Sequence, residues 1–290
     1  MEPRHLNLPV DGGDLRVLAW GTGENVAVAV HGISGSAMSW LAVARAMPAG
    51  WTLVVPDLRG RGHSSDLPGP YGIDQHIEDV AAVIRHFGHP VLAGHSMGAF
   101  IGLLTHDVYP DLASRLVLVD GGLPLPFSPD APGVDLDAIL DATLGPAIAR
   151  LKQVYPSEQA YIEFWQAHPA LAAHWTQDVE AYVRYDLRPA PDGGFRSRAA
   201  EDAVRADRRD LLLAVARIGE ALTRLKDPTP ILTAAMGMFG EPPGIQPPEL
   251  VATWQDRAPR LRPSLIPDVN HYTIMFEPPG TEAIVAAITA

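Results

Sequence analysis

The sequence predicts an α/β fold in which a mostly parallel sheet carries helices on both faces. Three observations predict it. β-like runs alternate with helical runs through the first 120 residues, which is the spacing of strand–helix–strand units. Some of those runs, such as Val26–His31, are unbroken and apolar, as strands buried on both faces are. In a chain of 290 residues, 47% hydrophobic against 19% charged residues supply enough apolar surface for a sizeable core.

Each element follows from local pattern. His5–Val10 and Leu15–Trp20 flank Asp11-Gly12-Gly13-Asp14, a hairpin signal. Val26–His31 ends at Gly32 and reads as a buried strand. Ser36–Met47 reads as a helix stopped by Pro48, and Trp51–Pro56 as the next strand. Asp74–Phe87 places Ile77, Val80, Val83, Ile84 and Phe87 on one helical face, with Gly88 closing it. Pro90–Gly94 is a short strand, Met97–Tyr109 a helix ended by Pro110, and Arg115–Val119 the most strongly β-like segment. After Asp120 the pattern changes. Residues 121–137 read as loop, and 138–225 as mostly helical, interrupted at Pro156, Pro169 and the turn Pro189–Gly194. The sheet signature resumes at Pro230–Ala235. Helix Glu249–Arg257, strand Leu261–Ile266 and a last helix from Gly280 follow. The pattern therefore predicts a helical block inserted between two strands of one sheet: core at 1–120 and 228–290, insert at 121–227.

Composition excludes several function classes. The chain has no cysteine, which removes disulfide scaffolds, thiolate metal sites and cysteine nucleophiles. Its net charge of −12, from 34 acidic and 22 basic residues, argues against nucleic acid as a partner. No apolar run approaches the ~20 residues of a membrane span, so no membrane partner is expected. The start Met1-Glu2-Pro3-Arg4-His5 lacks the apolar stretch of a signal peptide, so a cytoplasmic location is expected.

The chemistry centres on Gly94-His95-Ser96-Met97-Gly98, a G-x-S-x-G match between a strand and an apolar helix. At such an elbow the turn is so sharp that the serine takes a strained backbone, and the flanking glycines let neighbouring chain pass. Ser96 Oγ is pushed out at the top of the sheet, at a helix N-terminus that favours developing negative charge.

With three further motifs in order, this sequence resembles the serine-nucleophile branch of the α/β-hydrolase fold superfamily. The motifs are His31-Gly32-Ile33-Ser34-Gly35-Ser36, the run from Pro56-Asp57-Leu58-Arg59 to Gly62-His63-Ser64, and Val269-Asn270-His271-Tyr272. The resemblance covers nearly the whole chain. It implies an α/β-hydrolase fold with a mostly parallel eight-stranded sheet and the insert as a helical cap. It also implies an oxyanion hole made by the backbone N–H groups of Ile33 and Met97, with His31 bracing its loop. Asp57 and Arg59 would pair or cap nearby backbone.

His271, in the loop between the last strand and the last helix, is the candidate general base. His63, His76, His86, His89, His106, His168 and His174 read as surface or cap residues, and His95 as pointing away from Oγ. The acid departs from the usual family pattern. The loop Ala235-Met236-Gly237-Met238-Phe239-Gly240-Glu241 has no Asp. Asp120, at the end of the preceding strand, is one candidate, Glu241 another, and a Ser–His dyad without acid the third.

A serine at 96 argues against haloalkane dehalogenases and epoxide hydrolases, which share the fold but use an Asp nucleophile. Tyr161, Trp165 and Trp175 of the insert, with Gly32, Ser34, Leu123, Met236, Met238, Phe239 and Tyr272, are the candidate lining of a wide apolar pocket. The resemblance implies a serine hydrolase that needs no cofactor or metal, acting on a carboxylic ester or lactone of a medium-sized apolar molecule. Carbon–carbon bond or thioester hydrolysis is the alternative chemistry, and a slow-turnover ligand-binding protein the alternative class. The sequence does not give an oligomeric state.

Overall fold

A computed structural model of the chain describes residues 2–124, 135, 138–139 and 149–290. Most of the loop expected at 121–137, and the first part of the helical block expected from 138, lie outside the described residues.

Strands β1 (Arg4–Val10) and β2 (Gly13–Trp20) form an antiparallel hairpin. The turn is tighter than expected, because Val10 pairs directly with Gly13 and only Asp11 and Gly12 lie between. Strands β3 (Asn25–Val30), β4 (Trp51–Pro56), β5 (Val91–His95), β6 (Arg115–Val119), β9 (Thr229–Ala234) and β10 (Leu261–Ile266) complete one sheet of eight strands. Its order is β1-β2-β4-β3-β5-β6-β9-β10, antiparallel at β1–β2 and β2–β4 and parallel elsewhere. The chain thus has the α/β-hydrolase architecture that its motifs suggest.

Strand alternation builds a core on each face. Leu15, Val17, Val28 and Val30 pack to one side with Ile77, Val80 and Ile84, while Leu18, Trp20, Ala27 and Ala29 pack to the other with Trp40 and Ile284. The first of these faces takes α2 (Ile73–Phe87) and α3 (Met97–Val108). The second takes α1 (Leu41–Ala46) and α9, the helix Pro278–Thr289.

The helix expected over Ser36–Met47 is split. Ala37–Trp40 is a tight 3₁₀ turn and α1 follows. The Asp57 carboxylate accepts the Ala37 N–H at 2.7 Å, and Ser39 N–H bonds back to Ser36 C=O, so the first turn is held by i+3 bonding rather than by an α ladder.

Between β6 and β9 lie α4 (Glu158–Gln166), α5 (Gln177–Tyr185), α6 (Glu201–Leu213) and α7 (Val215–Thr223). The turn expected at Pro189–Gly194 is the tip of a small hairpin, β7 (Leu187–Pro189) against β8 (Phe195–Ser197). Gly193 and Gly194 reverse the chain there at positive φ. Helix α8 (Pro248–Arg257) joins β9 to β10. Among the described residues no helix is long and apolar enough to cross a membrane.

Candidate active site

Ser96 stands where β5 turns into α3, at φ 55° and ψ −123°, a strained conformation for a residue with a side chain. Its surroundings over-determine that conformation. Ser96 N–H donates to Val119 C=O at 3.0 Å, and its C=O accepts from Ala99 N–H at 3.0 Å. A Cβ on Gly94 would sit 2.1 Å from Gly98 O, and one on Gly98 would sit 2.2 Å from Val30 O. Only glycine lets the three chain segments approach this closely, which is the physical content of the G-x-S-x-G spacing.

Two side chains complete a line of hydrogen bonds from Ser96. His271 Nε2 lies 3.1 Å from Ser96 Oγ, and His271 Nδ1 lies 2.6 Å from Asp120 Oδ2. An ionised carboxylate only accepts, so Nδ1 carries the proton and Nε2 is free to accept from Oγ–H. Asp120 is fully buried at φ 41°, immediately after β6. Its N–H donates to Leu232 C=O at 2.7 Å, and its Oδ1 accepts from Ala234 N–H at 3.0 Å. The end of β9 therefore clamps the carboxylate, although the loop that follows supplies no acid to His271.

Of the three alternatives for the acid, the geometry brings Asp120 to His271. Glu241 is exposed, and among the described residues its hydrogen bond is the one its backbone carbonyl accepts from Gly237 N–H. Asp120 already holds the Nδ1 face of His271, so neither Glu241 nor an acid-free pair describes the geometry.

The His271 loop is locked by a residue the motif contained but pattern did not single out. Asn270 Oδ1 accepts from Tyr272 N–H and Thr273 N–H, both at 2.9 Å, while its Nδ2 donates to Ala170 C=O at 2.9 Å. His95 adds a second lock. Its Nε2–H donates to His271 C=O at 3.0 Å, and burial holds its pKa well below the usual histidine range. The sequence suggests that His95 points away from Oγ; its ring instead borders the cavity that holds Ser96, where it steadies the histidine that faces it.

The Gly32–Gly35 turn faces Ser96 from the end of β3. Ile33 and Ser34 line the same cavity as Ser96 Oγ, and Met97 directly follows the serine at the first position of α3. The amides of Ile33 and Met97 have no acceptor among the described residues. His31 braces the turn. Its Nδ1–H donates to Gly32 C=O at 2.8 Å, and its Nε2 accepts from Leu58 N–H at 2.9 Å. Both nitrogens are used by a neutral ring, and burial lowers its pKa to about 3 from an ordinary 6.5.

The sign of the resulting pH dependence is fixed. Between pH 6.5 and about 3 the unfolded chain binds a proton at His31 that the folded chain refuses, so stability falls as pH drops through that window. This one site should give a slope of up to about 1.4 kcal/mol per pH unit. Urea unfolding of His31→Gln from pH 7 to 4 should show a slope shallower by about one proton. Equal slopes would refute the neutral buried ring.

Asp57 accepts from Ala37 N–H at 2.7 Å, His63 N–H at 2.8 Å and Tyr185 OH at 2.7 Å, and burial raises its carboxyl to about 6. It caps backbone, as expected. Arg59 caps backbone as well, donating to Pro68 C=O and Asp11 C=O, and it pairs with Asp79 at 2.9 and 3.0 Å, with both side chains buried. His76 is not a surface residue. It is fully buried on α2, and its Nε2 bonds Asp207 of α6 at 2.9 Å.

The cavity beside Ser96 measures about 60 Å³. Among the described residues this is smaller than the wide pocket expected. Of the candidate lining residues, Gly32, Ser34, Met238 and Tyr272 border it, joined by Tyr182, Met275 and Phe276. The others do not. Leu123 packs into the core on the α2–α3 face of the sheet. Tyr161 is fully buried and donates to Asp186, which also pairs with Arg150; Trp165 lies under that arginine, 5.0 Å from its guanidinium. Trp175 is partly buried against the apolar core on the α1 face of the sheet. Met236 is half-buried, its N–H bonded to Val269 C=O, and Phe239 is exposed and stacked on His168. The insert's aromatics thus mostly hold the insert together. Among the described residues no group of three or more His, Asp or Glu is arranged to hold a metal.

Comparison with known proteins gives a consistent picture. A family model described as "Alpha/beta hydrolase family" matches residues 27–285. Over 269 residues the chain is 25% identical to 2-(acetamidomethylene)succinate hydrolase of Mesorhizobium japonicum, covering 89% of this chain and 84% of that protein. The crystal structure of E-2-(acetamidomethylene)succinate hydrolase has a TM-score of 0.79 at 22% identity, with 100% of both chains covered. The thioesterase domain from the curacin biosynthetic pathway has 0.78 at 21%, again with 100% of both chains covered. At these identities the two structures share the fold. Shorter matches reach relatives of which the chain spans less than half the length. One is Protein ABHD8 of Homo sapiens, 33% identical over 106 residues, which are 34% of this chain and 24% of that protein.

Proposed function

The chain belongs to the alpha/beta hydrolase family, and from that premise we propose that it is a cofactor-independent serine hydrolase of carboxylic esters or lactones with a small, apolar acyl part. The observation that supports this reading is the alignment of Ser96 Oγ, His271 and Asp120 at 3.1 and 2.6 Å. In this reading Ser96 attacks the carbonyl while His271 takes its proton, and Asp120 holds the ring in the needed tautomer. The N–H groups of Ile33 and Met97 receive the oxyanion. His271 then returns the proton to the leaving group and activates the water that clears the acyl-enzyme.

The insert serves as a cap that excludes water, and Tyr182 of α5 forms part of the acyl wall. The cavity size favours a short acyl group over a bulky one. None of its described lining residues is Lys or Arg, which favours a neutral acyl part over a dicarboxylate such as the one in the Mesorhizobium relative's name.

A fluorophosphonate probe should label Ser96, and p-nitrophenyl acetate should turn over faster than p-nitrophenyl octanoate. The same panel should include a γ-lactone, an acyl thioester and an acetamido-substituted succinate. Failure to label Ser96 would overturn the enzyme reading. Labelling with negligible turnover of every member would favour a ligand-binding protein, and preference for the succinate would replace the proposed substrate class.

A further inference from the structure

The loop that carries Ile33 is gripped at both ends by side chains from the segment after β4, and neither of these touches Ser96. At one end Arg61 Nε donates to Ile33 C=O at 2.8 Å. At the other, Asp57 Oδ1 accepts from Ala37 N–H at 2.7 Å. Both side chains are fully buried.

Each of them is also held by the insert, and by a different helix. Arg61 Nη1 lies 2.5 Å from Asp207 Oδ2 on α6, and Asp207 in turn accepts from Gly72 N–H at 2.7 Å and from His76. Asp57 Oδ2 accepts from the hydroxyl of Tyr185, the last residue of α5, at 2.7 Å. Backbone contact supports the same seat, because Ala200 N–H donates to Gly60 C=O at 2.8 Å. Two helices of the insert therefore reach one short loop through one intermediate side chain each.

We propose that Arg61, Asp57, Tyr185 and Asp207 are positioning residues that make the placement of the Ile33 amide depend on the seating of α5 and α6. This rests on the reading of that amide as an oxyanion donor. A donor displaced by a fraction of an ångström from where charge develops loses most of its effect, and misplacement of about 1 Å can cost 10²-fold. The coupling acts on the transition state rather than on substrate binding, so it belongs in kcat.

The test uses Tyr185→Phe, which removes one hydroxyl, and Asp207→Asn, which removes one charge. The readouts are kcat and KM for p-nitrophenyl acetate, together with the inhibition constant of phenylboronic acid, whose tetrahedral serine adduct places an oxygen in the oxyanion site. Tyr185→Phe should lower kcat about tenfold and Asp207→Asn about a hundredfold. KM should stay within about twofold, and boronate inhibition should weaken in step with kcat. The double variant should lose less than the product of the two, since both act through one loop.

Folded variants that keep kcat, or that raise KM alone, would overturn the proposal. If Asp207→Asn does not fold, Tyr185→Phe decides by itself. Failure of the wild-type protein to label or turn over is a different result, since it removes the hydrolase reading and this coupling with it.

Discussion

Ser96→Ala should lower kcat by about 10⁶-fold on any ester the protein hydrolyses, with KM little changed. The reason is positional. Ser96 Oγ is the oxygen that His271 Nε2 faces, 3.1 Å away. Without Oγ the imidazole can only activate water, and no acyl-enzyme can form. The substitution leaves the elbow intact, because alanine keeps the Cβ that already fits at φ 55° and both backbone bonds to Val119 and Ala99 remain. Melting temperature should therefore be nearly unchanged, which separates lost chemistry from lost fold. Stopped assays of purified variant against wild type, with fluorophosphonate labelling as a parallel readout, check it. A variant that keeps more than about 1% of activity would remove Ser96 from the reacting centre, since loss of a serine nucleophile leaves far less.

The parts of this site that were legible in the sequence are the parts written in contiguous residues. Gly94, Ser96 and Gly98 announce the elbow because steric exclusion acts over a few residues, and the Cβ clashes at 2.1 and 2.2 Å are that exclusion seen directly. Strands Trp51–Pro56, Arg115–Val119 and Leu261–Ile266 have the ends expected from the sequence.

What escaped are polar partners brought together from distant segments. His76 reads as one more helix histidine, and nothing local shows that Asp207 of another helix will meet it in the dark side of α2. Arg59 sits beside Asp57 in sequence, yet Asp79 offers it two oxygens in fork geometry and wins the pair. Tyr161 and Trp165 share a helix face, as their spacing implies. That face turns to Arg150 and Asp186 rather than to the cavity. Helical periodicity states which residues lie together, not what they lie against.

Asp120→Asn should lower kcat by about 10⁴-fold, while Glu241→Gln leaves it near wild type. The size of the first effect comes from a tautomer, not only from a lost charge. In the native protein Oδ1 accepts from Ala234 N–H and Oδ2 faces His271 Nδ1 at 2.6 Å. An asparagine keeps the Ala234 bond with its carbonyl oxygen, which turns its NH₂ group toward Nδ1. That donor makes Nδ1 an acceptor, so the ring proton moves to Nε2, and Nε2 can no longer take the proton of Ser96 Oγ. The variant should fold, because its backbone bond to Leu232 and its side-chain bond to Ala234 survive. It should also bind substrate with KM little altered. Glu241 has no such leverage: its side chain is exposed, and the nitrogen it would need to orient is already occupied. Measuring kcat for both variants beside wild type decides the matter. Loss of activity in Glu241→Gln with retention in Asp120→Asn would reverse the assignment of the acid. Equal retention in both would leave Ser96 and His271 working as a pair, with Asp120 holding only the strand ends together.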